Sequence, residues 1–257
     1  MNRIQQLLEQ KKNNILSVYF TAGYPNLNDT ADVIRSLVHH GVDMIEIGVP
    51  FSDPLADGPV IQASSQKALQ NGMSVSRLFE QLKNIRSEIS VPLVLMGYYN
   101  PILAYGIDNY CRDAAKVGID GFIIPDLPLS EYKKEMKSVV EQYGLSNVLL
   151  ITPETSEERV REIDANTSGF IYMVSSASTT GARDSFGEDQ RSYFNRIANM
   201  NLQNPTLVGF GISNGKTYAD ACRFSSGGII GSAFVSLLGS SKTIDEAAFS
   251  LVQRLRK

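Results

Sequence analysis

Eight short apolar runs rich in β-branched and aromatic residues recur along the 257-residue chain at nearly even spacing, and this rhythm constrains the fold more than any other feature. They are ILSVYF (15–20), MIEIGV (44–49), LVLMGY (93–98), GFIIPD (121–126), VLLIT (148–152), GFIYMV (169–174), TLVGFG (206–211) and GIIGSA (228–233). Between them lie longer polar segments with apolar residues at i, i+3 and i+4, such as TADVIRSLVHH, VSRLFEQLKNIRSEI, DNYCRDAAKVG, EYKKEMKSVVEQYG and EERVREIDANT, which read as amphipathic helices. Several runs are apolar on successive residues, the pattern of parallel strands covered on both faces. Eight βα units in about 250 residues predict an α/β protein, a (β/α)8 TIM barrel, with a short extra helix at the N-terminus. A doubly wound open sheet is the alternative. No linker, charge block or shift of composition divides residues 1–257, so they read as one domain.

A barrel carries its chemistry at the C-terminal ends of the strands and in the loops that follow. Glu46 shares its strand face with Met44 and Gly48, while Ile45 and Ile47 take the other. A carboxylate inside a strand is costly without a partner or a task. It is either tied into a structural ion pair or a general acid/base whose pKa is raised by desolvation. The following segment, FSDPLADGPVIQ, brings Asp53 and Asp57 among prolines and glycines, where turn or helix-capping roles are ordinary. Its place over the same barrel mouth also allows two carboxylates to act on opposite sides of one substrate.

Glycine-containing turns end the last two runs, GFGIS (209–213) and GSAF (231–234). Free N–H groups at helix starts after strands seven and eight suit a phosphate, which glycine lets approach closely. GISNGKT is not a nucleotide-binding phosphate loop: Gly209 leaves five residues before Gly215 and Gly211 leaves three, where four are needed. The polar segment SSASTTGARDSFGEDQR (175–191) is too polar to pack and long for a βα loop, so it reads as an active-site lid or a plain surface loop. Tyr172 either offers its hydroxyl to the mouth or fills the core.

Charge and rare residues exclude other classes. Lys plus Arg number 24 against 27 Asp plus Glu, interspersed, for a net −3, which is no footprint of a nucleic-acid binder. No apolar run approaches the roughly 18 residues of a membrane helix, and MNRIQQLLEQKK lacks the apolar core of a secretory leader. A cytoplasmic protein is expected. Cys111 and Cys222 are far apart and without CxxC spacing, which speaks against a disulfide or zinc site. The only histidines, His39 and His40, close a predicted helix, so no His-ligated catalytic metal can be assembled from this chain. Every lysine falls in a helix-like segment, loop or terminus, whereas a Schiff-base aldolase would need one at a strand end.

The run IEIGVPFSDPLADGP, Ile45 to Pro59, closely resembles the signature of the tryptophan synthase α-subunit family. The likeness continues in FTAGYP (20–25), Gly-Val-Asp (41–43), YYNPIL (98–103), PDLP (125–128), TTGA (179–182), GFGIS and GSA (231–233), and so spans nearly the whole chain. The resemblance implies a (β/α)8 barrel, a lyase of tryptophan biosynthesis that cleaves indole-3-glycerol phosphate to indole and glyceraldehyde 3-phosphate. It also implies an αββα heterotetramer whose β subunit, not this chain, uses pyridoxal phosphate, with no nucleic acid and no membrane among the partners. Glu46 and Asp57 match the family's catalytic carboxylates and Tyr172 its active-site tyrosine. Thr180 and Gly181 match lid residues, with Thr180 expected to hold Asp57 on closure. Phosphate donors would be Gly181, Gly211, Gly231 and Ser232, beside Phe210, and the indole pocket would be lined by Tyr19, Ile61, Met96, Tyr98, Ile123 and Ile151. Loops 53–59 and 99–105 resemble the β-contact regions.

Two positions depart from the family pattern. The lid reads Ser176-Ala177-Ser178-Thr179-Thr180-Gly181 where many members have an Arg and a further Gly, and Tyr19 stands where Phe is common. A free-standing indole-3-glycerol phosphate lyase and a non-catalytic barrel that activates a partner are the competing readings. Retention of both carboxylates argues against the second.

Overall fold

The computed structural model describes residues 2–175 and 185–256. Eight parallel strands close into a barrel in sequence order, with the last pairing to the first: β1 (Ile15–Thr21), β2 (Met44–Gly48), β3 (Leu93–Met96), β4 (Gly121–Ile123), β5 (Ser146–Ile151), β6 (Ile171–Val174), β7 (Thr206–Gly209) and β8 (Gly227–Ile230). The open-sheet alternative is thereby excluded. The period of two sorts the side chains. Ile15, Tyr19, Met44, Val94, Met96, Ile123, Val148, Tyr172, Leu207 and Ile229 fill the barrel interior. Val18, Phe20, Ile45, Ile47, Leu95, Phe122 and Met173 face the helices, and each such burial contributes about 1.5–3 kcal/mol. Glu46 thus lies on the interior face, as its pattern predicts.

Six of the eight strands end earlier than their apolar runs; β1 and β6 do not. GFIIPD leaves the sheet at Ile123 and GIIGSA at Ile230, because proline, glycine and aspartate at the run ends already belong to the mouth loops. The helices follow in order as α1 (Arg3–Gln10), α2 (Thr30–His39), α3 (Pro59–Gln70), α4 (Val75–Leu82), α5 (Tyr99–Tyr105), α6 (Ile107–Lys116), α7 (Leu129–Glu131), α8 (Lys137–Gln142), α9 (Glu157–Asp164), α10 (Glu188–Ala198), α11 (Gly215–Phe224), α12 (Ser232–Ser240) and α13 (Ile244–Arg256). A π-helical turn, Tyr132–Met136, joins α7 to α8. Helix α3 starts with Pro59 at its first position, where its missing N–H costs nothing.

The segment 175–191 is not wholly a polar loop. Phe186 is buried edge-on against Phe194, and residues 188–191 form the first turn of α10. Gln190 is buried too, donating to the Ser175 carbonyl at 3.1 Å.

Helix α1 closes the N-terminal end of the barrel. Ile4 is fully buried against the interior cluster. Asn2 donates to the Asp120 carbonyl and the Ser146 hydroxyl, and Arg3 pairs with the Asp120 carboxylate at 3.0 Å. The opposite end, with α3, α5 and α12 following β2, β3 and β8, is left open for the site.

Candidate active site

Glu46 sits on β2 in register with Tyr19 on β1 and Val94 on β3. It has no solvent-exposed surface. Its Oε1 accepts a hydrogen bond from the Ser17 hydroxyl at 3.0 Å, and its Oε2 has no partner among the described residues. Burial pushes the carboxyl up to about 8, against the lowering effect of the Ser17 bond. No basic side chain pairs with it, so the structural ion pair considered for this residue is absent from the described contacts.

Asp57 hangs over the mouth from the loop between β2 and α3. Its Oδ2 accepts from the Tyr98 hydroxyl at 2.9 Å, and the same hydroxyl accepts the Ala56 N–H at 3.0 Å. Burial raises the Asp57 carboxyl to about 6, the Tyr98 bond opposing. Tyr98, expected in the pocket wall, therefore acts on this carboxylate; its ring packs on Phe51 at 5.2 Å between centroids.

Two interior tyrosines lie within the electrostatic reach of both carboxylates. A Cβ at Gly48 would fall on the Tyr19 hydroxyl, and one at Gly209 on the Tyr172 hydroxyl, so each ring lies where only glycine leaves room. Burial holds both phenols protonated, Tyr19 pushed further by charge on Asp57 and Tyr172 by charge on Glu46.

A cavity opens above them, lined by Tyr19, Met96, Tyr172 and Ile229 from the strands and by Asp57, Gly58 and Ile61 from the connection into α3 and its first turn. Phe210, Gly211, Ile212, Ser213, Gly231, Ser232 and Ala233, from the connections after β7 and β8, complete the lining. Helix α12 begins there with Gly231 as its cap and no side-chain cap bond, so its first N–H groups face outward with the positive end of the helix dipole. On the connection after β7, Phe210 (φ 69°) and Gly211 (φ 76°) both take the left-handed conformation, a strain of about 1–2 kcal/mol at Phe210. The Ser175 hydroxyl steadies that turn, donating to the Phe210 carbonyl at 2.8 Å. Apolar side chains and one carboxylate, with backbone N–H groups on the connections after β7 and β8, fit a flat aromatic body carrying a phosphate.

Of the residues expected from sequence, Tyr19, Asp57, Ile61, Met96, Tyr172, Phe210, Gly211, Gly231 and Ser232 line this one cavity. Glu46 lies buried beside it, within the electrostatic reach of Tyr19 and Tyr172. Ile123 is interior but outside the lining. Ile151 is a correction: it packs in the layer between sheet and helices, and its neighbour Leu150 packs against the interior cluster. Because Val148 points inward, the period of two puts Leu150 inside and Ile151 outside. Thr180 and Gly181, with Ser178, fall outside the described residues. Gly58, Ile212, Ser213, Ile229 and Ala233 were not named individually; all but Ile229 lie inside the motifs singled out from sequence, and Ile229 is two residues before Gly231.

Among the described residues no group of three His, Cys, Asp or Glu could hold a metal ion, and no helix is long and apolar enough to cross a membrane. Comparison with known proteins points one way. Residues 4–256 match the tryptophan synthase alpha chain family. The tryptophan synthase alpha chain of Bacteroides thetaiotaomicron is 57% identical over 256 residues, covering 100% of both chains. Among solved structures, the tryptophan synthase subunit alpha of Legionella pneumophila superposes with a TM-score of 0.89 at 32% identity, over 100% of this chain and 97% of the other. A Mycobacterium tuberculosis tryptophan synthase chain gives 0.89 at 29% identity, over 100% and 99%.

Proposed function

The chain belongs to the tryptophan synthase alpha chain family, and from that premise we propose that Glu46 and Asp57 carry out its retro-aldol cleavage of indole-3-glycerol phosphate, with Tyr172 beside them. The protein is a carbon-carbon lyase that releases indole and glyceraldehyde 3-phosphate and works with a β subunit.

C3 of indole is a poor leaving carbanion until the ring becomes its indolenine tautomer. The cleavage therefore needs a proton at C3, a counter-charge for the ring N–H, and removal of the proton from the side-chain hydroxyl on the breaking bond. Glu46, protonated below about 8, delivers the first proton and as carboxylate takes back the second, so it ends each turnover as it began. Asp57, ionised above about 6, faces the ring N–H. Both groups are in the required state between these values, so kcat/KM follows a bell. The rising limb belongs to Asp57 and the falling limb to Glu46. The first N–H groups of α12 and the Phe210–Gly211 turn receive the phosphate, and Tyr19, Ile61, Met96 and Ile229 enclose the ring.

The observation that carries this reading is Glu46: fully buried, with one oxygen bound and the other without a partner among the described residues, which is costly unless a substrate uses it. We assign pyridoxal phosphate to the β subunit, the chain to the cytoplasm, and residues 1–257 to a single domain; Thr180 and Gly181 remain proposed as lid residues. Indole release by the purified chain, with and without a β subunit, tests the reading. Weak activity alone, strong activation by the partner and loss of at least about 10³-fold in Glu46→Gln are expected. Full activity without the partner would point to a free-standing lyase, and no indole from a folded chain would overturn the assignment.

A further inference from the structure

We propose that Ser17 is a positioning residue of the cleavage reaction: it holds Oε1 of Glu46 and thereby reserves Oε2 for the travelling proton. The inference rests on the role assigned to Glu46 above. Ser17 lies on the interior face of β1, two residues before Tyr19, and is itself fully buried. A buried hydroxyl needs an acceptor, and its donor reaches Glu46 Oε1 at 3.0 Å. When Glu46 is protonated, an oxygen that accepts from Ser17 acts as the carbonyl oxygen, and the acidic proton resides on Oε2. Oε2 has no partner among the described residues to compete for that proton. The single bond from Ser17 therefore decides which oxygen is the acid and fixes the rotation of the carboxyl group.

The same bond has a second effect. A donated hydrogen bond stabilises the carboxylate more than the acid, so Ser17 restrains the rise that burial imposes on Glu46. The other titratable groups near Glu46 are Tyr19 on β1, Tyr172 on β6 and Asp57 on the loop after β2. Both phenols stay protonated through the working range, and Asp57 titrates on the opposite limb of the pH profile. A change confined to the falling limb therefore reports Glu46 alone.

The test uses the full chain with its β subunit and compares Ser17→Ala, Ser17→Thr and Ser17→Val with the wild type. Thr keeps the hydroxyl and Val has the same shape without it. Ser17→Ala and Ser17→Val are expected to lower kcat by about ten-fold with KM within two-fold. They should also move the falling limb of kcat/KM upward by about one pH unit, the size expected for a hydrogen bond to a charged group. The rising limb stays in place and Ser17→Thr restores both quantities. A falling limb that does not move in a folded Ser17→Ala, or equal losses in the Thr and Val variants, would overturn the proposal. Glu46→Gln, run in parallel, separates the two levels. If it keeps its activity, the assignment of Glu46 itself fails. If it is inactive while the Ser17 variants behave as wild type, only the positioning role does.

Discussion

Among the described residues each carboxylate of the site holds a single side-chain partner, and those partners are hydroxyls rather than cations. That choice leaves both carboxyl groups above their ordinary range, where proton transfer near neutral pH is efficient. Tyr98 does for Asp57 what Ser17 does for Glu46, so Tyr98→Phe should raise the Asp57 pKa and move the rising limb of kcat/KM upward, leaving the falling limb unmoved. A pH profile of the purified variant checks this, and a shift in the falling limb would contradict it. Burial of Glu46 also carries a cost for the fold. Between the ordinary value of 4.5 and about 8, the native protein holds a proton that the unfolded chain has released. Stability therefore falls as pH rises through that window and levels off above it. Gln does not titrate, so Glu46→Gln should gain a few kcal/mol on the wild type between pH 5 and pH 9 in urea unfolding. A difference that stays constant with pH would show that the carboxyl is not so perturbed. Glu46 was legible from sequence because a lone charge breaks an apolar strand, and Asp57 from its place over the same mouth. Tyr98 and Ser17 were not identified as partners of the carboxylates, since nothing in an aromatic or a serine on a strand reveals where its hydroxyl points.

At the scale of elements, the alternation of apolar runs and amphipathic segments made the barrel legible, because parallel strands buried on both faces leave a strong signal. Helices α3, α5 and α10 were less so. Their first turns are loop-like in composition: Pro59 opens α3, Pro101 lies in α5, and Glu188 and Asp189 begin α10. Ile151 was carried over from the family resemblance, and VLLI, apolar at every position, offers no parity against which to check it; Val148 sets that parity only once the barrel is closed. The seat of α1 had no sequence signal at all, since its partner Asp120 lies 117 residues from Arg3. Asp120 is buried between Arg3 and Arg86 and also accepts the Leu93 N–H at 2.9 Å. Asp120→Ala would leave the half-buried Arg86 guanidinium facing Arg3 and an unbonded N–H at the start of β3. A loss of about 3 kcal/mol is expected by urea unfolding. Arg3→Ala, which removes the more exposed cation, should cost no more than about 1 kcal/mol. Equal losses would mean that the Arg3–Asp120 pair carries the whole effect and that leaving Arg86 unpaired costs nothing.

Over the whole molecule, apolar surface is distributed unevenly. Among the described residues, four large hydrophobic side chains are exposed, and three of them, Leu55, Val60 and Leu103, sit on the connections after β2 and β3. Leu55 is 91% exposed, in the same loop that carries Asp57, and Leu103 projects from α5, which follows the Tyr98 partner of that carboxylate. A partner that covers these residues would bear directly on the loop holding Asp57, the carboxylate proposed to face the ring N–H. That supplies a physical route from β-subunit docking to the rate of cleavage. Leu55 and Leu103 also contribute nothing to the cavity lining. Leu103→Glu should therefore leave indole release by the isolated chain within about two-fold, while raising the concentration of β subunit needed for half-maximal activation. The expected rise is about ten-fold or more, as for an apolar anchor at an interface replaced by an unpaired charge. Leu55→Asp should do the same and also reduce the activation reached at saturation, because its loop positions Asp57. Titration of each variant with β subunit, followed by indole release, separates the two effects. If both variants activate like the wild type, the partner does not dock on this face. The exposed leucines would then need another explanation.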